Sequence, residues 1–295
     1  MTSYAVLGAI EQGLVYGIMV MGVYLTFRIL DFPDLTVDGS LPLGAAVSAV
    51  AITAGVNPYL SLLLALGCGF LAGVVTAVLN TKFKILHLLA SILTMIALYS
   101  INIRIMQGPN IALLGSATVF DTVIAMGVPG HLAGLLVFAA FAALTAIAIV
   151  WFLSTELGQA VLATGDNPQM ITSLGVNTHL IIILGVGVSN AMVALSGALV
   201  AQNQGSADVG MGIGTVIAGL ASVVIGETVF SATTICRAFV AALLGSIIYR
   251  LAIALALGME FGQFRFNPSD LNLITAVLVV IALVTPNIKR RLIQR

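Results

Sequence analysis

The length of its apolar runs constrains this chain more than any other feature. Nine of them follow one another with short polar breaks, at 4–27, 41–56, 59–79, 85–106, 131–153, 179–201, 212–225, 233–257 and 271–286. Crossing about 30 Å of hydrocarbon at 1.5 Å per residue takes roughly 17 to 25 residues. In lipid every backbone N–H and C=O must be satisfied inside the protein, which leaves helices as the spanning element for runs of this kind. The predicted fold is therefore an all-α polytopic integral membrane protein with about nine transmembrane helices, in a range of 8 to 10, forming a single domain over residues 1–295. With 60% apolar and 7% charged residues and a mean hydropathy of +1.16, too little polar surface exists to coat a soluble domain.

Two of the runs, 41–56 and 212–225, are short, glycine-rich and flanked by polar residues, which predicts broken or re-entrant helices. They also sit at matching places in two related stretches, 13–50 and 187–226. Each stretch is an apolar helix, then an Asp/Gly-rich segment, then a short glycine-rich helix, so the two predict an inverted repeat around a midplane passage. Gly-x-x-x-Gly at Gly13/Gly17, Gly69/Gly73, Gly130/Gly134 and Gly210/Gly214 offers faces on which helices could approach closely. With nine crossings, Arg28, Lys82, Lys84, Arg237, Lys289, Arg290, Arg291 and Arg295 fall on one side and Arg104, Arg250 and Arg265 on the other. Basic loops favour the cytoplasm, so this sorting places the C-terminus inside and the N-terminus outside. The first residues show no basic start or small-residue cleavage pattern, and they read as the beginning of the first helix.

Several chemistries are missing. Eleven basic residues balance eleven acidic ones, which removes the electrostatic case for nucleic acid. Cys68 and Cys236 lie inside apolar runs and read as packing residues. His87, His131 and His179 are far apart and lack the partners a metal site needs. There is no Gly-x-x-x-x-Gly-Lys-Ser/Thr loop, so the chain does not hold ATP by that device. Glu227 reads as a helix-ending residue at the inner edge, and Arg250 as a side chain reaching the outer surface.

Residues 154–177 form a polar, helix-capable island between two apolar runs. Ser154 or Thr155 is placed to cap a helix that carries Glu156 in its first turn. Gly165 reads as its stop, and Asp166-Asn167-Pro168 as a turn that restarts a second piece at 169–174. Leu162, Ala163, Met170, Ile171 and Leu174 would then project from the membrane as a docking surface. Two polar patches, Asp31, Asp34, Asp38 and Ser40 in the first repeat and Gln202, Asn203, Gln204, Ser206, Asp208, Gly210 and Gly212 in the second, are candidates for lining a passage, with solvated loops as the alternative. The segments 107–130 and 259–270, with Asp121, Glu260, Arg265 and Asp270, are long enough to meet an external protein.

The stretch Ala-Thr-Gly-Asp-Asn-Pro-Gln-Met-Ile-Thr-Ser-Leu-Gly-Val-Asn (163–177), Leu-Ser-Gly-Ala-Leu-Val-Ala (195–201), Gly-x-Gly-x-Gly from Gly210 and Ile-Ala-Gly-Leu-Ala-Ser-Val-Val-Ile-Gly (217–226) resemble the permease subunits of ABC importers of the branched-chain amino acid and ribose type. The segment 30–46 resembles a narrower branch, the permeases of tryptophan or aromatic amino acid importers. Glu227 departs from the glycine that commonly follows Gly226 in the wider family. The resemblance implies a non-catalytic transport subunit of a bacterial inner membrane. It also implies that 154–177 is the ATPase-coupling segment, with Glu156, Gly158, Leu162, Ala163, Gly165, Asp166, Asn167, Pro168, Ile171, Leu174 and Gly175 as its site residues. The implied partners are cytoplasmic ATPases that bind ATP and Mg, a second permease copy (identical or related), an extracytoplasmic solute-binding protein and membrane lipid. Two rival readings stay open: a secondary carrier working without an ATPase, and a membrane enzyme. A carrier predicts uptake by the chain alone; an enzyme predicts turnover, for which acid/base and metal constellations are absent.

Overall fold

The computed structural model describes residues 3–230 and 234–257, with short pieces at 260–261, 264–265, 276–277 and residue 280. Helix α1 (Ser3–Tyr24) runs on through a π turn (Leu25–Ile29), followed by α2 (Val37–Thr53), α3 (Pro58–Thr81) and α4 (His87–Met106). After strand β1 (Asn110–Ala112) and short α5 (Val119–Ala125) come α6 (Gly130–Ser154), α7 (Glu156–Asp166) and α8 (Pro168–Ser173). The chain continues with α9 (Thr178–Gln204), β2 (Ser206–Asp208), a 3-10 turn (Val209–Gly212), α10 (Thr215–Phe230) and α11 (Ile235–Leu257), and β3 (Glu260–Phe261) pairs with β4 (Phe264–Arg265).

Seven of these segments are long and apolar enough to cross a membrane, and α2 is an eighth, shorter apolar helix. The ninth expected crossing, 271–286, lies mostly outside the described residues, as do 259, Asp270 and the basic tail. Eight of the nine expected crossings thus correspond to helices among the described residues, seven of membrane length and one shorter.

The two halves of the chain build the same unit in opposite directions. Along α1 and α9 the contacts run antiparallel: Ser189 Oγ donates to the carbonyl of Gly22, and Ser196 Oγ to that of Val15 (both 2.7 Å). Helix α2 lies parallel to α9, because a Cβ on Gly44 would meet the backbone of Ala194 while Gln202, further along α9, bonds Ser48. Helix α10 lies parallel to α1 in the same way, with Gly219 beside Met19 and Val23 and Glu227 beside Arg28. The third helix of each unit crosses the first helix of the other. Gly69 and Gly73 of α3 press on Asn190, Ala194 and Val186 of α9; Gly13 and Gly17 of α1 press on Ile247 and Leu243 of α11. Two of the four Gly-x-x-x-Gly pairs thus mark equivalent crossings of an inverted repeat. Among lipid chains as apolar as leucine, close backbone approach supplies the packing that water exclusion cannot. Gly130 has open space around it and Gly210 and Gly214 lie in a turn, so the other two pairs do not make such crossings.

Helix α9 runs through the middle of the bundle and is buried along most of its length from Ile181 to Gln202. Helices α3, α4 and α6 instead show outward rows of large apolar residues, among them Leu63, Leu71, Leu93, Ile96, Leu144, Ile147 and Trp151. In a bilayer such rows meet acyl chains instead of water. Cys68 is partly buried, whereas Cys236 is exposed, so the packing role expected of Cys236 does not hold.

Candidate functional site

The segment between residues 31 and 42 folds as a returning loop, and its polar residues hold it down from within. Asp34 is fully buried: Thr36 N donates to its Oδ1 (2.9 Å) and Asn190 Nδ2 to its Oδ2 (2.7 Å). Ser40 Oγ donates to Asn190 Oδ1 (2.6 Å), and the hydroxyls of Thr36 and Thr76 meet at 2.8 Å. A buried polar group is tolerable only when bonded, and this cluster satisfies that condition. Asp34 and Ser40 are therefore not lining residues as expected from the sequence; they tie the loop to α9. Gln202 plays the corresponding part at the other end of α9. Its Oε1 accepts from Val119 N (3.1 Å), and its Nε2 donates to Ser48 Oγ (3.1 Å) and Ser61 Oγ (3.2 Å).

Asp38 stands apart from these. It lies in the first turn of α2, yet its carboxylate accepts from Gly214 N (3.1 Å), Thr215 Oγ1 (2.9 Å) and Val216 N (2.9 Å) at the start of α10. The N-termini of the two short helices consequently meet around one carboxylate from this chain. Both helix dipoles present their positive ends there, and the orphan amides of α10 find an acceptor they would otherwise lack. Gly212 makes the approach possible, because a Cβ would run into the Asp38 carbonyl. Asp31 is exposed at the α7 end of the bundle; Asn203 and Asp208 are exposed at the opposite end, where Asp208 Oδ1 accepts from Gly210 N (2.6 Å). The two sequence patches are thus spread across three levels and do not form one site.

Two cavities flank this junction. One, about 330 Å³, lies between α2, α4 and the 209–213 turn; the other, about 320 Å³, lies between α1, α10 and α11. Arg250 lines the second with its guanidinium 3.8 Å from the ring centre of Tyr16, so it packs on an aromatic face rather than reaching freely to the surface. Asn102, in the wall of the first, was not anticipated from the sequence. A lone Asn inside an apolar span was the available signal.

The island folds as two short helices at the end of the bundle where α1 finishes. Thr155 Oγ1 accepts from Gly158 N (3.3 Å) to cap α7, and Asn167 Oδ1 accepts from Met170 N (3.0 Å) to cap α8, with Pro168 at its first position. Helix α7 continues through Gly165 to Asp166, so Gly165 is not its stop. A Cβ there would fall on the carbonyl oxygen of Ile29, and one on Gly158 would strike Phe152 and Leu153. Both glycines therefore seat α7 on the bundle. Ile171 is buried, against the expectation that it projects, and Leu162 and Ala163 are half-buried. Glu156, Leu157, Asp166, Asn167, Pro168, Met170, Leu174 and Gly175 form the exposed surface, with Leu174 at 71%. Gly175 turns the chain with φ +85°. Near this end Arg28 Nε donates to Glu227 Oε1 (2.8 Å), and α10 runs past Glu227 to Phe230, so Glu227 pairs across the repeats and does not end its helix. The segment 107–130 also folds, β1 pairing antiparallel with β2 and Thr118 and Asp121 closing a capping box on α5. Among the described residues no group of three His, Cys, Asp or Glu could hold a metal ion.

Two inverted three-helix units whose second helices meet at Asp38 define a polytopic membrane protein with an architecture that transporters use. The particular family follows from comparison: residues 5–284 match the model described as branched-chain amino acid transport system / permease component, and the chain belongs to that family. It is 42% identical over 283 residues to the tyrosine transport system permease protein of Clostridioides difficile (strain R20291), covering 96% of this chain and 92% of that one. It is 26% identical over 225 residues to the ribose import permease protein of Haemophilus influenzae, covering 76% and 68%. Among solved structures, PsaBC from Streptococcus pneumoniae in complex with Fab matches with TM-score 0.52 at 14% identity, covering 96% of this chain and 91% of the other, a likeness of fold.

Proposed function

We propose that the chain is the translocation subunit of an ATP-driven importer of an aromatic amino acid, tyrosine being the leading candidate. The observation that carries this reading is the 42% identity, across nearly the whole chain, to a tyrosine transport permease. On this reading α7 and α8 dock on a cytoplasmic ATPase that binds ATP and Mg, and a second permease copy completes the passage. An extracytoplasmic binding protein delivers the substrate at the end carrying β1 and β2, and the chain itself makes and breaks no bond. The distribution of charge supports the orientation: Arg28, Lys82, Lys84 and Arg237 gather at the α7 end, whereas Arg104 lies near the other. On this reading α7 and α8 face the cytoplasm of a cell with this protein in its inner membrane.

The test is co-purification of the tagged chain with the products of neighbouring genes, followed by uptake of radiolabelled L-tyrosine into proteoliposomes with and without ATP. Recovery of an ATPase and ATP-dependent uptake are expected. Uptake by the chain alone, without ATP, would replace this reading with a secondary carrier.

A further inference from the structure

The 320 Å³ cavity between α1, α10 and α11 carries a positive charge that nothing in its wall balances. Among the described residues Arg250 is the only charged side chain lining it. The guanidinium stands over the ring of Tyr16, 3.8 Å from its centre, and Tyr16 lines the same cavity. A ring face meets such a charge only in part, because a guanidinium presents five N–H donors in a rigid fork shaped for a carboxylate. Among the described residues no carboxylate pairs with Arg250 and no acceptor takes its N–H groups. Tyr16 stands at the middle of the span Tyr4–Ile29, so the charge beside it lies at mid-membrane depth.

A cation is costly to hold at that depth against acyl chains, and cations inside membrane spans face a bundle interior or a water-filled cavity. Thr215, Tyr249 and Ile253 form the buried part of the wall, whereas Ile213 and Ile217 are exposed and open the cavity to the outside of the bundle. The charge distinguishes this side from the apolar rows of α3, α4 and α6, and it calls for water there instead of lipid. The other polar side chains in the wall are neutral. Thr215 Oγ1 is engaged by Asp38 Oδ1 (2.9 Å) and the carbonyl of Gly212 (3.0 Å), which leaves the phenols of Tyr16 and Tyr249. Asp38 itself is not in the wall, and three donors from α10 hold its carboxylate. The size falls at the lower end of small-molecule pockets, and a small monoanion supplies the missing charge.

We propose that this cavity is a station on the passage where the substrate's carboxylate pairs with the Arg250 guanidinium, and that the side it opens on faces the passage. The inference rests on the importer reading above and adds to it a residue that separates amino acids from uncharged solutes such as sugars. A site built around a charged pair discriminates against the analogue lacking the carboxylate, because the guanidinium is then left unpaired.

The experiment places a single reactive thiol in the wall, Ala218→Cys on a chain carrying Cys68→Ser and Cys236→Ser, in the complete complex in proteoliposomes. Its reaction with a negatively and a positively charged methanethiosulfonate is timed, each rate divided by that reagent's rate with a small thiol. The anionic reagent should be favoured about tenfold, and Arg250→Gln should remove the preference. L-tyrosine should slow the anionic reagent, and tyramine, which lacks the carboxylate, should not. Uptake of radiolabelled L-tyrosine should fall about tenfold in Arg250→Gln and by less in Arg250→Lys, which keeps the charge. No reaction with either reagent, a preference that survives Arg250→Gln, or equal slowing by tyramine overturns the site. Labelling needs no ATP, so the two readings fail separately: a native complex that takes up no L-tyrosine overturns the importer reading, whereas absence of the charge preference overturns the site. Should Arg250→Gln not assemble, the comparison of L-tyrosine with tyramine on the arginine-bearing chain decides.

Discussion

Single residues in this bundle do their work through the absence of atoms or through complete hydrogen bonding. Gly44 and Gly197 let α2 and α9 touch backbone to backbone, so that a Cβ on either would enter the partner's carbonyl. Gly44→Val should lower stability by about 1–3 kcal/mol through overpacking, seen as a fall in the midpoint of thermal unfolding in detergent. Asn190 is the hub that satisfies both Asp34 and Ser40. Asn190→Leu leaves a buried carboxylate short of a donor and should cost about 3 kcal/mol or more, read as loss of folded, monodisperse protein during purification. The Arg28–Glu227 pair is a contrast. With the Arg28 side chain 63% exposed, Arg28→Ala should change stability by less than about 1 kcal/mol, checked by the same unfolding midpoint.

At the scale of elements, the exposed face of α7 and α8 can be altered without disturbing its seat. Met170→Asp combined with Leu174→Asp should abolish recovery of the ATPase while leaving the unfolding midpoint within a degree or two, since both side chains are largely exposed. A bulky residue at Gly165 is a poor probe of docking, because it would push α7 off Ile29 and damage the fold first. The short helices were legible as short and glycine-rich, and the caps Thr155 and Asn167 follow from local side-chain chemistry. That Asp38 caps a helix starting 177 residues later, at Thr215, was not legible, because no local pattern links them. Asp38→Ala should therefore loosen α10 more than α2. Faster hydrogen exchange of the amides from Gly214 to Gly219 is the expected result, with unchanged exchange in the first turn of α10 as the result that contradicts it.

On the scale of the whole molecule, the inverted repeat explains why each half needs the other. The first and last helices of one unit pack on helices of the other, and the capping carboxylate of α10 comes from α2. Neither three-helix unit is thereby complete alone. An alternating-access motion would have to act where the units meet, along α1–α9 and at Asp38, with the cavities on either side of the junction changing shape together.

The amino-acid sequence by itself determined that the chain is a helical membrane protein, where most of its helices run and that residues 154–177 form a polar helical island, because apolar run length, capping and turn chemistry are local properties. Its resemblance to importer permeases was also legible, since motifs survive as strings of residues. Tertiary structure alone decided which polar residues are ties and which are free. Asp34, Ser40 and Gln202 are passage-lining candidates by sequence and interior fastenings in the fold, whereas Asn102, a lone amide in an apolar span, is tied to the carbonyl of Gly39 on another helix. The physical reason is that a polar side chain inside a membrane protein acquires its role from the partner that reaches it, and here most of those partners lie far away along the chain.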